Sequence, residues 1–229
     1  MKHLLLALSL FTASANIFAQ QQQPHDVAYA FMRTGDFDNA ILVLNKAIQQ
    51  GQNSQQLQQD LAMAYFFKKD YSKAKEQVLL LLNRDDADVI SYQIAGNVYK
   101  ALEEVKEADK LYKKAVKKFP ASGPLFSEYG EFLWAKDDPN AIKLWERGIE
   151  VDPAYAGNYY NAASYYFEKG DKVWSLIYGE IFVNMEYLTD RATEIKKMLL
   201  NVYKEKVFAS PLINDICLLY TSPSPRDRG

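Results

Sequence analysis

From residue 24 to residue 188, apolar residues recur with the three-to-four-residue spacing of amphipathic helices, and the pattern itself repeats. One series of small residues is spaced by 34: Ala40, Ala74 and Ala108. An aromatic series lies one helix earlier at the same spacing: Phe31, Tyr65 and Tyr99. Because a small side chain lets a neighbouring helix approach closely, this pattern predicts stacked helical hairpins in which small residues face bulky ones.

Two further copies follow with small departures. Gly130 lies 34 residues after Gly96, but Ala141 lies only 33 after Ala108. One residue is therefore missing from the turn inside the fourth unit, where a deletion is tolerated best. The fifth copy carries Ser175 in the small-residue position.

These copies resemble the tetratricopeptide repeat, a helix–turn–helix unit of 34 residues. The third copy matches its pattern at six positions: Gly96, Tyr99, Ala108, Tyr112, Ala115 and Pro120. The resemblance covers about residues 21–188, although Leu81 and Phe182 stand where a small residue is usual. It implies an all-α fold, a right-handed α-solenoid of about five repeats. Their expected ranges are 21–54, 55–88, 89–122, 123–155 and 156–188.

One more helix is predicted after the repeats. Residues 189–209 begin with a capping residue, Thr189 or Asp190, and continue with apolar residues at helical spacing: Ile195, Met198, Leu199 and Val202. This helix is either the polar-faced cap of the solenoid or the first helix of a sixth pair.

The N-terminus has the features of a secretory signal and resembles bacterial export signals. Lys2 precedes a short apolar run from Leu4 to Ala15, and Ala19 lies where a signal peptidase cuts. The run is shorter than the ~20 residues of a membrane span, and no cysteine lies near the cut to carry a lipid. We therefore expect cleavage of residues 1–19, no stable membrane insertion, and a periplasmic or secreted protein. Residues 20–26 are expected to form a Gln-rich tether that merges into the first repeat.

The C-terminal stretch CLLYTSPSPRDRG, residues 217–229, has no helical pattern. Its first eleven residues can be written in codons that resemble a transposase adapter used to prepare sequencing libraries. We expect this tail to be non-native, as a fusion scar is. Cys217 then needs no functional explanation, and the natural reading frame would continue beyond Ile216.

Charge and composition argue against several classes of function. The net charge of −2 gives no electrostatic reason to expect a nucleic-acid partner. His25 is the one histidine beyond the signal, so no metal site of histidine and cysteine can be assembled. No phosphate-binding loop or nucleophile elbow is present. We expect no catalytic residue, no metal and no cofactor, and therefore a non-enzymatic protein.

The resemblance implies that the first helix of each pair lines a concave groove. The residues expected there are Tyr29, Met63, Phe66, Asn97, Lys100, Glu131, Trp134, Tyr160, Asn161 and Phe167. Large apolar side chains in a groove contribute to binding because a ligand removes them from water. They could equally be covered by the N-terminal tether or by a segment beyond Ile216. No lysine occupies the positions that grip a peptide carboxylate in some members of the family.

The expected function is that of a scaffold or adaptor that binds a protein or peptide segment in the groove. The alternative is that the solenoid is the N-terminal part of a longer protein with an enzymatic, signalling or membrane domain downstream. The identity of the partner and the oligomeric state do not follow from the sequence.

Overall fold

The structure, a computed structural model, describes residues 23–204, and every regular element in that range is a helix. The helices are α1 (Pro24–Arg33), α2 (Phe37–Gln49), α3 (Gln55–Phe67), α4 (Tyr71–Leu82), α5 (Val89–Ala101), α6 (Val105–Lys118), α7 (Gly123–Trp134), α8 (Ala141–Val151), α9 (Ala156–Glu168), α10 (Lys172–Met185) and α11 (Asp190–Val202). The predicted signal, the first part of the tether and the predicted tail lie outside the described residues.

The helices form five pairs, α1–α2 to α9–α10, followed by α11. Each odd-numbered helix also contacts the next odd-numbered helix along the whole stack. No comparable contact joins successive even-numbered helices within residues 23–204. The odd-numbered layer is therefore the more closely spaced one, and the stack curves toward it. The predicted all-α solenoid of five pairs and a C-terminal helix is confirmed.

The turn inside each pair has the same backbone conformation. In each of the five turns, one residue has a positive φ: Gly35, Lys69, Glu103, Asp137 and Gly170. In every case this residue and the next one donate N–H groups to carbonyls near the end of the preceding helix. This is the Schellman motif, in which glycine is preferred because side chains are strained at positive φ. Three of the five turns adopt it without glycine.

The shortened fourth unit loses its residue at the start of its second helix. The left-handed residue of this turn is Asp137, and α8 begins four residues later, at Ala141. In the third unit the corresponding helix begins only two residues after Glu103. The deletion therefore removes part of the first turn of α8, and Ala141 stays buried in the main apolar cluster.

The two helices of each pair fit together through side chains of complementary size. The small residues of the second helices, Ala40, Ala74, Ala108, Ala141 and Ser175, are all fully buried. In the first four pairs the partners compensate in volume: Ala28 with Leu44, Ala62 with Val78, Gly96 with Tyr112, and Gly130 with Trp145. In the fifth pair both positions are small, Ala163 and Gly179, and the space beside Gly179 is taken by Leu199 of α11. Where the second helix carries a large ring, the first helix has no side chain at all. A Cβ at Gly130 would lie 2.3 Å from Nε1 of Trp145.

The last helix, α11, packs on α9 and α10 through the apolar residues predicted from the sequence. Thr189 caps it by accepting a hydrogen bond from the N–H of Ala192 (3.1 Å). Its opposite face is polar and exposed at Thr193, Lys197 and Asn201. Leu200, on the same side of the helix, is exposed as well. That α11 is the cap of the solenoid or the first helix of a sixth pair therefore stays a prediction, and residues 205–209 of the predicted helix lie outside the described part of the chain.

The size pairing predicts a compensating double substitution. In Gly96→Ala, the new Cβ would lie 2.4 Å from the hydroxyl oxygen of Tyr112, so we expect unfolding to become easier by about 1–3 kcal/mol. Adding Tyr112→Leu recreates the Ala28–Leu44 combination, so the double variant should be more stable than the sum of the two single effects. Urea denaturation followed by circular dichroism measures all three variants. If the effect of the double variant equals the sum of the two single effects within about 0.5 kcal/mol, the result would contradict the pairing.

Candidate functional site

The concave face is formed by the odd-numbered helices, and side-chain hydrogen bonds join each of them to the next. We call this series the inter-repeat ladder. Between α1 and α3, Nδ1 of His25 lies 2.7 Å from Oδ2 of Asp60. Between α3 and α5, Nε2 of Gln59 donates to Oγ of Ser91 (3.1 Å). Asp60, Gln59 and Ser91 are buried, so these bonds satisfy polar groups that would otherwise be unpaired.

The ladder continues through the middle of the stack. Between α5 and α7, Nε2 of Gln93 donates to Oε1 of Glu128 (2.6 Å). Between α7 and α9, Nδ2 of Asn161 contacts Oγ of Ser127 (3.0 Å) and Oε1 of Glu131 (2.9 Å). Asn161 and Glu131 were both predicted as groove residues. In the structure each has a partner within the chain, and Asn161 is buried.

The last step of the ladder joins α9 to α11. The hydroxyl of Tyr160 donates to Oε2 of Glu194 (2.8 Å). Burial, with this bond as a second cause, raises the pKa of Tyr160 to about 12. Tyr160, another predicted groove residue, therefore holds two helices together through its hydroxyl.

Two predicted groove residues have their main contacts inside the helix packing. The ring of Phe66 is 5.6 Å from that of Tyr71, between α3 and α4. Trp134 meets Trp145 edge-on at 5.4 Å and Tyr165 at 6.4 Å. Both side chains are half-buried against the main apolar cluster. Their truncation would therefore weaken the fold as well as any binding surface.

The N-terminal groove, about 410 Å³ in volume, lies between α1, α3 and the start of α5. Its apolar lining is Tyr29, Met32, Met63, Phe67 and Ile90. Three of these side chains are largely open to solvent: Tyr29 is 54% exposed, Phe67 47% and Ile90 50%. His25 and Asp60, which bond to each other, and Arg33 supply part of its polar lining. Of the predicted residues, Tyr29 and Met63 are brought together here.

Phe67 and Ile90 were missing from the predicted groove residues. Phe67 directly follows Phe66 in the sequence, and one residue turns a helix by about 100°. Phe67 therefore lies in the groove while its neighbour packs against α4. Both residues occupy first-helix positions that line the groove in tetratricopeptide-repeat proteins, so a prediction that used all of these positions would have included them.

A middle groove of about 510 Å³ lies between α5 and α7. Lys100 and Glu131, both predicted groove residues, line it together with Phe132 and Lys136. Nζ of Lys136 lies 4.9 Å from the centre of the Phe132 ring, within the range of a cation–π contact. Asn97 is half-buried on α5, one helical turn before Lys100. The middle groove therefore combines an apolar floor with charges of both signs.

A smaller C-terminal groove, about 370 Å³, lies between α9 and α11. Phe167 lines it with Ile195 and Met198. Nζ of Lys172 lies 3.9 Å from the centre of the Phe167 ring. The ten predicted residues are thus distributed over three grooves, the ladder and the helix packing, and do not form one continuous site.

The most perturbed acid on this face is Glu128, which lies beneath the surface between α5 and α7. Burial raises the pKa of its carboxyl group, and the hydrogen bond from Gln93 and the charge of Lys100 oppose the shift only in part. Its second oxygen has no hydrogen-bond partner, and the same is true of the nearby Tyr112 hydroxyl. This carboxylate lines none of the three grooves, so its perturbation concerns stability.

Within residues 23–204, no three residues among histidine, cysteine, aspartate and glutamate are grouped closely enough to hold a metal ion. Across the same residues, no helix combines the length and the apolar content that a bilayer span requires.

Comparison with known proteins finds matching family models and similar solved structures. Models of the tetratricopeptide repeat match residues 31–95 and 89–118. A thermophilic TPR protein of Thermus thermophilus, TTC0263, is similar at 16% identity and a TM-score of 0.63, over 77% of this chain and 97% of that one. PilF of Pseudomonas aeruginosa is similar at 16% identity and a TM-score of 0.65, over 87% and 91%.

YrrB, described as a TPR protein with an unusual peptide-binding site, is similar at 19% identity and a TM-score of 0.52, over 76% of this chain and 90% of its own. At such identities the likeness shows the fold alone. No curated protein has significant similarity to the chain.

The buried carboxyl group predicts a specific pH dependence. Because the pKa of Glu128 is raised in the folded state, its ionisation destabilises the fold. The free energy of unfolding falls as the pH rises from the pKa that Glu128 has in the unfolded chain through its pKa in the folded protein. Each pKa unit between these two values corresponds to about 1.4 kcal/mol of lost stability. Glu128→Gln keeps the acceptor for Gln93 and removes the charge, so the variant should be the more stable protein at pH 7.

Urea denaturation between about pH 4 and pH 7 measures this difference. The advantage of the variant should shrink as the pH falls. Glu76→Gln, which removes an exposed carboxylate on α4, serves as the control. A difference between Glu128→Gln and the parent chain that does not change with pH would contradict the role of burial.

Proposed function

We propose that this chain, in which tetratricopeptide-repeat models match residues 31–95 and 89–118, is a non-enzymatic scaffold that binds a peptide or protein segment on its concave face. The N-terminal groove is the principal site. The observation that carries the proposal is the exposure of Tyr29, Phe67 and Ile90 around one cavity. Because each side chain is already about half buried, full coverage by a partner would contribute roughly 0.7–1.5 kcal/mol per side chain to binding, half of the value for complete burial.

The lining of the N-terminal groove suits a segment with large apolar side chains. Met32 and Met63 add flexible thioether side chains that adapt to differently shaped ligands. Asp60 is already buried and bonded to Nδ1 of His25, so a ligand in the groove leaves no unpaired carboxylate behind. The ladder holds the neighbouring helices in place before binding, which limits the entropy lost on association.

The positions of the residues whose pKa is raised by burial also agree with a scaffold role. Glu128 and Tyr112, whose pKa values are raised by burial, line none of the three grooves. Tyr99 lines the middle groove, and because burial raises its pKa as well, its hydroxyl stays protonated at neutral pH. An acid or base that acts on a substrate has to reach it within hydrogen-bond distance. The grooves described above therefore supply binding surface rather than reactive groups.

We further propose that the protein is exported. The support is the N-terminal sequence, a basic residue followed by a short apolar run and a small-residue cleavage position. Expression in a Gram-negative host followed by mass spectrometry of the periplasmic fraction should give a mature chain that begins at Gln20. A chain retained in the cytoplasm with Met1 intact would contradict this.

The groove assignment predicts a loss of peptide binding on truncation of two exposed rings. Random peptides displayed on phage are selected against the chain, and the enriched peptides are measured by fluorescence polarisation. Tyr29→Ala with Phe67→Ala should weaken binding about 10- to 100-fold, since two half-exposed apolar side chains lose their contacts with the peptide. Both side chains are exposed, so helicity and thermal stability should change little.

Leu42→Ala with Leu80→Ala provides the matched control. These exposed side chains lie on α2 and α4, outside the N-terminal groove. The control should bind selected peptides as the parent chain does. Equal weakening in both double variants, or selected peptides that ignore Tyr29 and Phe67, would contradict the assignment.

A further inference from the structure

The outward face of α10 differs from that of the other second helices. A ridge of apolar side chains runs along it at intervals of four residues: Val173, Ile177, Ile181 and Met185. All four are exposed, and Val173 is 65% open to solvent. Trp174, Tyr187 and Leu188 extend the apolar surface at its two ends, with Leu188 83% exposed. We call these seven residues the α10 ridge.

The same positions on α6 and α8 are charged. Ile177 lies two residues after the buried Ser175, and the residues two positions after Ala108 and Ala141 are Lys110 and Lys143. Ile181 likewise corresponds to Lys114 and Arg147. On α2 and α4 one of the two positions is an exposed leucine, Leu42 and Leu80. Among the five second helices, α10 alone has apolar residues at both positions.

Extension of the solenoid does not cover this face. Lys110 and Lys143 stay exposed although further helices follow both α6 and α8. A helix pair added after α11 would by the same geometry leave Ile177 in water. Continuous apolar patches of this kind are rare on monomeric proteins and mark interaction surfaces.

The charges of α10 point away from the ridge. The helix has two charged residues, Lys172 and Glu180. Lys172 lies over the Phe167 ring at 3.9 Å, and Glu180 accepts a hydrogen bond from the Tyr203 hydroxyl (2.9 Å). A surface that meets its own copy across a two-fold axis brings like charges together, so an uncharged ridge suits self-association. The lysine-rich face of α6 would repel its own copy.

The geometry points to a second copy of this chain as the occupant of the α10 ridge. Ridges of residues four apart interdigitate in the commonest class of helix packing, at a crossing angle of about 50°. The ridge from Val173 to Met185 is about 18 Å long. With the aromatic and leucine side chains at its ends, the open apolar surface is on the order of the ~800 Å² that each partner contributes to a standard interface. A symmetric dimer through α10 leaves the grooves of the odd-numbered layer open.

A membrane surface is a poorer match for the ridge. Peripheral helices that lie on membranes carry lysine and arginine on their polar face. Here the flanking residues include Asp171 and Asp190 as well as Lys172 and Arg191, and the chain is acidic overall. Because acidic and basic residues are mixed at its border, the apolar ridge favours a protein surface of its own kind over an anionic membrane.

The experiment replaces two isoleucines of α10 by the residues that α8 has at the same positions. Ile177→Lys with Ile181→Arg places on α10 the side chains that α8 tolerates at Lys143 and Arg147. Sedimentation velocity over about 1–100 µM should show the parent chain as a dimer. The double variant should raise the dimer dissociation constant about 100-fold or more, because each copy would bury unpaired charges. Ile177→Ala with Ile181→Ala, which adds no charge, should weaken the dimer about 10-fold.

Leu42→Lys is the matched control, since Leu42 occupies on α2 the position of Ile177 and is 65% exposed. This variant should remain dimeric, and circular dichroism should show unchanged helicity in all variants. A parent chain that is monomeric throughout this range overturns the inference, whether or not it sediments with phosphatidylcholine–phosphatidylglycerol vesicles. A dimer that survives Ile177→Lys with Ile181→Arg, or that Leu42→Lys dissociates, overturns it as well.

Discussion

The fit between a small residue on one helix and a bulkier residue on the other, found in the first four pairs, is the contact on which the rest of the structure depends. Gly96 and Gly130 have no side chain because the rings of Tyr112 and Trp145 occupy that space. Interiors pack as densely as organic crystals, so such a pair behaves as a unit in which both members must change together. The interlock sets the distance between the two layers of the solenoid.

The second constraint acts between units and uses polar chemistry. The inter-repeat ladder ties each odd-numbered helix to the next, and its buried members have no access to water as an alternative partner. Asn161 illustrates the consequence, since its amide serves Ser127 and Glu131 of the preceding unit. Polar groups on the concave face are thus largely engaged in holding the curvature, and the exposed apolar side chains supply what remains for binding.

Two apolar surfaces remain uncovered, and they lie on different layers. The N-terminal groove belongs to the odd-numbered layer, where the ladder fixes its shape in advance. The α10 ridge belongs to the even-numbered layer, which on α6 and α8 presents charged residues at the corresponding positions. Since the two surfaces share no residue, a dimer through α10 would carry two binding grooves and bind a multivalent partner more tightly than one copy does.

The sequence by itself determined the repeat, the all-α class and the number of helical pairs. These follow from local chemistry, because small and aromatic residues at a fixed period require helices that pair closely wherever they occur. The position of α8 shows the limit of this reasoning. The spacing of Ala141 showed that a residue was missing, but only the structure showed that the first turn of the helix had absorbed the loss.

The tertiary structure decided which side chains reach the surface of the concave face. Phe66 and Phe67 are equivalent in chemistry, and the rotation of α3 against its neighbours turned one into the packing and left the other in the groove. Asn161 and Tyr160 met partners more than 30 residues away, at distances that no local pattern encodes. Helical periodicity gives the angle between residues along one helix, but the orientation of that helix is set by everything that packs around it.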